Sequence, residues 1–163
     1  MLLDYENGDQ PQENLCDAKI KVVGVGGAGV NAIRRMADSF IPGVELVGVN
    51  TDIHSLARAK GVQTIAIGEQ VTKGLGAGGN PTIGREAAEE TQERLRSHLV
   101  GADLVFIAAG MGGGTGTGAA PVIARAARER GILTVSVITK PFEFEGQRRM
   151  KQAEDGIEEL QAY

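Results

Sequence analysis

The chain has 163 residues, a formal net charge of −4 at pH 7 and a single cysteine. This length fits about one domain with a core of its own. The acidic balance argues against nonspecific binding of nucleic acid or anionic membranes. One cysteine allows neither an internal disulfide nor a cysteine-based metal site. No apolar run approaches the roughly 18 residues that span a bilayer, and no signal segment opens the chain, so we expect a soluble, cytoplasmic protein without membrane insertion.

Strand-like and helix-like segments alternate from residue 18 onward. The first 17 residues are polar without an apolar period, which predicts a disordered tail containing an inert Cys16. Strands are predicted at residues 18–25, 44–49, 62–67, 103–109 and 132–138, and helices at 30–40, 53–59, 82–99, 121–130 and 147–163. The alternation predicts an α/β, Rossmann-like fold of three layers, a parallel sheet with helices on both faces. Because the strands lack polar alternation, we expect them to be buried on both sides.

The segment 110–118 is the most unusual stretch of the chain, with six glycines in nine residues. It lies between a predicted buried strand and a predicted helix. A segment so poor in side chains cannot pack a core, but it can bring backbone N–H groups close to an anion at a helix N-terminus. Thr115 and Thr117 add hydroxyl groups. A chain of phosphates is the simplest ligand for such a loop.

A second glycine motif at residues 24–29 matches G-x-G-x-x-G between a strand and a helix. With Asp52 at the end of the second strand, it is also the pattern of an NAD(P)-binding oxidoreductase domain. A purely structural explanation is also open, because a tight turn from a strand into a helix would need the same glycines. The richer loop at 110–118 favours a different phosphate ligand, and the chain contains no G-x-x-x-x-G-K-[ST] motif. The NAD(P) interpretation stays open as the alternative.

Two further loops carry polar candidates. In the loop 68–81, Asn80 followed by proline is typical of a helix N-cap. After the last strand, Glu145 either caps the next helix or accepts a ribose hydroxyl, with Arg149 one turn later. Phe142 and Phe144 are predicted to anchor this loop to the core. His54 and His98 have no partner at metal-ligand spacing, so we interpret them as surface residues and expect no metal site in the protein.

Together these motifs resemble the tubulin/FtsZ family of filament-forming GTPases, whose bacterial members build the division ring. The resemblance runs from residue 20 onward, and its most specific element is the segment 112–118, supported by 24–32, 50–52, 74–81 and 141–149. It implies nucleotide contacts from Gly26, Gly27, Ala28, Gly29, Val30 and Asn31; from Asn50 and Asp52 near the phosphates and Mg²⁺; from Ala77, Gly78 and Gly79 at the γ-phosphate; from Gly110, Met111, Gly112, Gly113, Gly114, Thr115, Gly116, Thr117 and Gly118; and from Thr139, Pro141, Glu145 and Arg149 at the ribose.

The resemblance also implies that the protein binds GTP or GDP, with Mg²⁺ bound through the phosphates. It further implies head-to-tail self-assembly at the midcell division ring. Family members continue past residue 163 with a central helix that contacts guanine. They then have an acidic loop that completes the GTPase site of the next subunit, a second domain, and a tail that recruits membrane tethers and division regulators. We therefore expect residues 18–163 to be a truncated GTP-binding domain with no catalytic residue of its own, nearly inactive alone. Ala28 replaces a common glycine, which requires negative φ and a methyl group turned from the ligand.

Overall fold

The computed structural model describes residues 18–39 and 41–163, so the predicted tail with Cys16 lies outside the described residues. Five parallel strands form one sheet in the order β3-β2-β1-β4-β5. The strands are β1 (Ile20–Val25), β2 (Val44–Asn50), β3 (Gln63–Ala66), β4 (Leu104–Gly110) and β5 (Leu133–Thr139). The helices are α1 (Gly26–Ala37), α2 (Ile53–Ala57), α3 (Glu69–Thr72), α4 (Pro81–Glu90), α5 (Gln92–Leu99), α6 (Thr115–Arg128) and α7 (Gln147–Leu160), with a 3₁₀ turn at Glu143–Glu145.

The helices cover the sheet on both faces, which confirms the predicted three-layer α/β class. One face packs against α1 and α2 through a small cluster that contains Val30 and Leu56. The other face packs against α4 to α7, and the main core lies there around Val105 and Ile107 of β4. None of the helices within the described residues is long and apolar enough to cross a membrane.

The strand order reverses between β1 and β4, because the chain moves from β1 towards β3 on one side and from β4 to β5 on the other. In open α/β sheets, ligands bind outside the carboxyl ends of the strands at such a reversal point. Here β1 runs directly into α1 at Gly26, and β4 leads through residues 111–114 into α6. The fold therefore brings the two glycine motifs of the sequence to one edge of the sheet.

Helices α4 and α6 cross so closely that glycine is required at the contact. A Cβ built on Gly118 would lie 2.0 Å from the Pro81 carbonyl oxygen and 2.6 Å from the Arg85 amide nitrogen. Arg85 also links α4 to α7 through an ion pair with Glu159. The hydrogen bond that Arg85 donates to the Glu159 carboxylate raises the pKa of the Arg85 guanidinium. The packing of α6 against α4 thus requires glycine at position 118. Helix α6 follows residues 111–114, which we call the phosphate-type loop.

Three expectations about the elements were wrong. The helix predicted from residue 121 begins at Thr115, so Pro121 lies inside α6. The helix predicted over residues 82–99 is two helices that meet at Thr91, whose hydroxyl accepts the Gly68 N–H and donates to the Ala87 carbonyl. A hydroxyl that bonds back to the preceding turn bends a helix. Strand β5 is a sheet edge with most of its residues exposed, not a strand buried on both sides.

Candidate functional site

The starts of α1 and α6 lie almost in contact at the reversal point of the sheet. A Cβ on Gly26, which has φ +71°, would stand 2.8 Å from the amide nitrogen of Gly116. Neither helix has a side-chain N-cap, since their capping positions are Val25 and Gly114. Two helix N-termini therefore present backbone N–H groups and positive dipole ends to the same point. An anion there would meet both.

A cleft of about 330 Å³ opens at this point. Its lining comes from the two glycine loops and from the segment after β5. The lining residues are Val25, Gly26, Gly27, Ala28, Gly110, Met111, Gly113, Gly114, Thr115, Gly116, Thr139, Lys140, Pro141, Glu145 and Arg149. Backbone groups, one buried threonine and two basic side chains thus surround one space, which is the composition of an anion site.

The loop before α4 forms a wall behind the phosphate-type loop. A Cβ on Gly114 would lie 2.8 Å from the Ala77 methyl group and 2.9 Å from the Asn80 amide nitrogen. Asn80 is the N-cap of α4 as predicted, with its side chain accepting the Thr82 N–H at 3.0 Å. Ala77, Gly78 and Gly79 are therefore close to the cleft without lining it in this arrangement.

At the opposite end of the cleft, Glu145 caps the 3₁₀ turn that precedes α7, and its contact with a ribose stays a prediction. One carboxylate oxygen accepts the Phe142 N–H at 3.0 Å and so caps the 3₁₀ turn. The other accepts from Arg149 at 2.6 Å. Arg149 also donates to the Gly112 carbonyl at 3.4 Å, which ties α7 to the phosphate-type loop. The expectation for Phe142 and Phe144 was wrong: they are 67% and 85% exposed and stack on each other at 5.3 Å.

Thirteen of the residues expected at the nucleotide line the cleft, and eleven do not. The latter are Gly29, Val30, Asn31, Asn50, Asp52, Ala77, Gly78, Gly79, Gly112, Thr117 and Gly118. Asp52 accepts the His54 and Ser55 N–H groups and caps α2. The Thr117 hydroxyl accepts the Gly112 N–H at 2.9 Å and shapes the loop from within. Their direct contact with a nucleotide remains a prediction.

At Ala28 and Lys140 the structure adds to the site expected from the sequence. Ala28 has the negative φ that the resemblance required, because Lys73 is the one non-glycine residue with positive φ among those described. Its methyl group nevertheless faces Gly110, where a built Cβ would approach it to 2.7 Å, and it lines the cleft. Lys140 and Val25 also line the cleft and were missed. A basic residue directly after the carboxyl end of β5 was the available signal for Lys140.

Carboxylates and histidines do not gather into a metal centre in the part of the chain that the structure describes. His54 is exposed, and His98 is half-buried with its Nδ1 against the Arg94 carbonyl. A divalent cation in the cleft would therefore need phosphate oxygens as its main ligands.

A family model described as the GTPase domain of the tubulin/FtsZ family matches residues 19–163. The chain belongs to the tubulin/FtsZ family. Among curated relatives of this family, the cell division protein FtsZ of Buchnera aphidicola (Acyrthosiphon pisum) is 59% identical over 154 residues, 94% of this chain and 40% of that protein. The chain thus spans about two fifths of the relatives it matches. This membership does not favour the NAD(P)-binding alternative.

Solved structures of the family share the fold. The FtsZ dimer of M. jannaschii is 51% identical with a TM-score of 0.87, and the match covers 89% of this chain and 42% of that one. CetZ2 of Haloferax volcanii, solved as a protofilament with GTPγS bound, is 29% identical with a TM-score of 0.74, over 87% of this chain and 46% of that one. The described residues therefore have the fold of this family's GTPase domain.

Proposed function

We propose that the chain binds GTP and GDP, with the phosphate tail against the N-termini of α1 and α6. The observation that carries this proposal is the close contact of the two loops at a glycine-lined cleft. A Cβ built on Gly26 would lie 2.8 Å from the Gly116 amide nitrogen. Backbone amides held by a rigid sheet bind phosphate oxygens without reorganisation. CetZ2, a relative with the same fold, carries GTPγS in its solved structure.

The two ends of the cleft indicate where the ribose and the γ-phosphate lie. We place the ribose beside Thr139, Pro141, Glu145 and Arg149, which line the end formed after β5. The γ-phosphate then lies towards the loop of Ala77, Gly78 and Gly79. Mg²⁺, which would neutralise the phosphate charge, would bind through phosphate oxygens, and Asn50 and Asp52 are the side chains that the sequence predicts near it. Calorimetric titration of GDP into the wild-type and Glu145→Gln chains tests this placement, because a ribose at Glu145 requires the variant to bind GDP more weakly and unchanged affinity would contradict it.

Hydrolysis needs a group that the cleft does not supply. Glu145 is the one carboxylate in its lining, and it is committed to the Phe142 N–H and Arg149. We infer that GTP hydrolysis depends on acidic residues contributed by a neighbouring subunit, so the chain alone turns over little GTP. Phosphate release measured across a range of protein concentrations tests this inference. A substantial rate per molecule that does not change with concentration would contradict it.

Self-assembly is the partnership that the surface supports. Phe142, Phe144 and the 78% exposed Leu75 lie on loops that follow the carboxyl ends of the strands, beside the cleft. Apolar side chains of this size in water favour a protein partner. We propose head-to-tail association with further copies, in the cytoplasm at the midcell division ring. Membrane tethers and division regulators would bind regions of the family's proteins outside this match, which covers 40% of the Buchnera aphidicola relative.

A further inference from the structure

The buried hydroxyl of Thr51 is hydrogen-bonded to the hydroxyl of Thr115 at 2.7 Å. Thr51 follows the last residue of β2 and is 1% exposed, so it does not reach the cleft. Thr115 is the first residue of α6 and lines the cleft with 8% exposure. Thr51 lies between Asn50 and Asp52, the two residues of the segment 50–52 that are expected near the phosphates.

Either hydroxyl can be the donor in this pair. Each threonine hydroxyl has one proton to donate and two lone pairs to accept with. If Thr115 donates to a phosphate oxygen, its own oxygen is left to accept, and Thr51 is placed to donate to it. Hydrogen bonds in such a chain strengthen one another, most of all when the final acceptor is charged.

The backbone of Thr51 holds the loop on the far side of the cleft. Its carbonyl oxygen accepts the Gly76 N–H at 3.2 Å and the Thr72 hydroxyl at 3.4 Å, and its N–H donates to the Asn50 side chain at 2.9 Å. These bonds fix the Thr51 backbone, and a β-branched side chain has few rotamers on a fixed backbone. The direction of the Thr51 hydroxyl is therefore set before any ligand arrives.

We propose that Thr51 is a positioning residue for the phosphate site: it donates to Thr115 and thereby directs the Thr115 proton into the cleft. This inference rests on the proposed binding of GDP and GTP. Without the Thr51 hydroxyl, the Thr115 side chain is free to turn its proton away from the phosphate, and the cooperative part of the hydrogen bond is lost. Thr51 acts entirely through Thr115.

The test is a double-mutant cycle on GDP affinity, measured by fluorescence titration of a labelled GDP with the 163-residue chain. Thr51→Val is expected to weaken binding about tenfold, the effect of weakening one hydrogen bond to a charged acceptor. Thr51→Ser keeps the hydroxyl and should bind within about twofold of wild type. In a Thr115→Val background, Thr51→Val should cause no further loss. Thr51→Ala serves as a second hydroxyl-free variant should the valine variant not fold.

Thermal unfolding of the nucleotide-free chains separates positioning from stability. Thr134→Val, on β5 and away from the cleft lining, is the control for the chemical change itself. Equal, additive losses from the Thr51 and Thr115 variants would overturn the inference, as would unchanged affinity in Thr51→Val and Thr51→Ala. Failure of the wild-type chain to bind GDP would overturn the proposed function and this inference with it.

Discussion

Two glycines, Gly113 in the loop before α6 and Gly118 within α6, should respond in different ways to substitution by alanine. A Cβ on Gly113 meets nothing within 4 Å, and Gly113 lines the cleft, so the new methyl group would stand in the binding space. A Cβ on Gly118 would overlap the backbone of α4, with atoms at 2.0 and 2.6 Å. Gly113→Ala should therefore affect the ligand, and Gly118→Ala the fold.

The magnitudes follow from these distances. Overpacking against backbone atoms costs about 1–3 kcal/mol or more, from which the helical preference of alanine over glycine recovers about 0.5–1 kcal/mol. A net loss of about 2 kcal/mol lowers the melting temperature of a chain of this size by about 4–8 °C. For Gly113→Ala, losing one amide-to-phosphate hydrogen bond costs about 1.5–3 kcal/mol, which weakens GDP binding about 10- to 100-fold.

Both variants need two measurements: circular dichroism melting without nucleotide, and titration with labelled GDP. We expect Gly113→Ala to melt within about 2 °C of wild type while it binds GDP poorly. We expect Gly118→Ala to melt earlier, and at a temperature where it is folded, to retain most of its affinity. Unchanged GDP binding by Gly113→Ala would refute the placement of phosphate in the cleft. A melting temperature for Gly118→Ala equal to wild type would refute the close crossing of α4 and α6.

Three other changes test separate parts of the structure. Asn80→Ala removes the N-cap of α4 and should cost about 1 kcal/mol in unfolding by urea, whereas equal stability would contradict the capping bond to Thr82. Replacing Phe142 and Phe144 by alanine should change stability by less than about 0.5 kcal/mol but reduce self-association in sedimentation experiments, since both rings are exposed. Val137→Lys, on the exposed edge strand, should likewise leave more monomer at high concentration; unchanged association would show that β5 is not a contact surface.

The order of strands and helices could be predicted because local apolar patterns and turn residues determine it. Runs of valine and isoleucine form β1, β2 and β4, and Asn80 followed by Pro81 marks the start of α4 where expected. The convergence of the glycine loops followed from topology, since the ends of parallel strands share one edge. The phosphate cleft was therefore predictable as a place and largely as a set of residues.

What failed depended on distant contacts. Residue propensities do not predict a helix that begins at Thr115 in a glycine run, directly after Gly114 packs against the loop of Ala77. The break at Thr91 reflects its bond to the Gly68 amide, 23 residues away. The exposure of Phe144 depends on whether another part of the protein packs over its loop. The residue type alone does not determine this. The role of Thr51 was invisible because its partner lies 64 residues further along the chain.

The central claim is that main-chain amides at two helix starts bind a phosphate tail, and competition among ligands tests it most directly. Calorimetric titration of the 163-residue chain would compare GDP with guanosine, which lacks phosphates, and with NAD, which has a different nucleotide arrangement. We expect binding of GDP, at least tenfold weaker binding of guanosine, and no competition by NAD. Guanosine that binds as tightly as GDP, or NAD that displaces GDP, would contradict the claim.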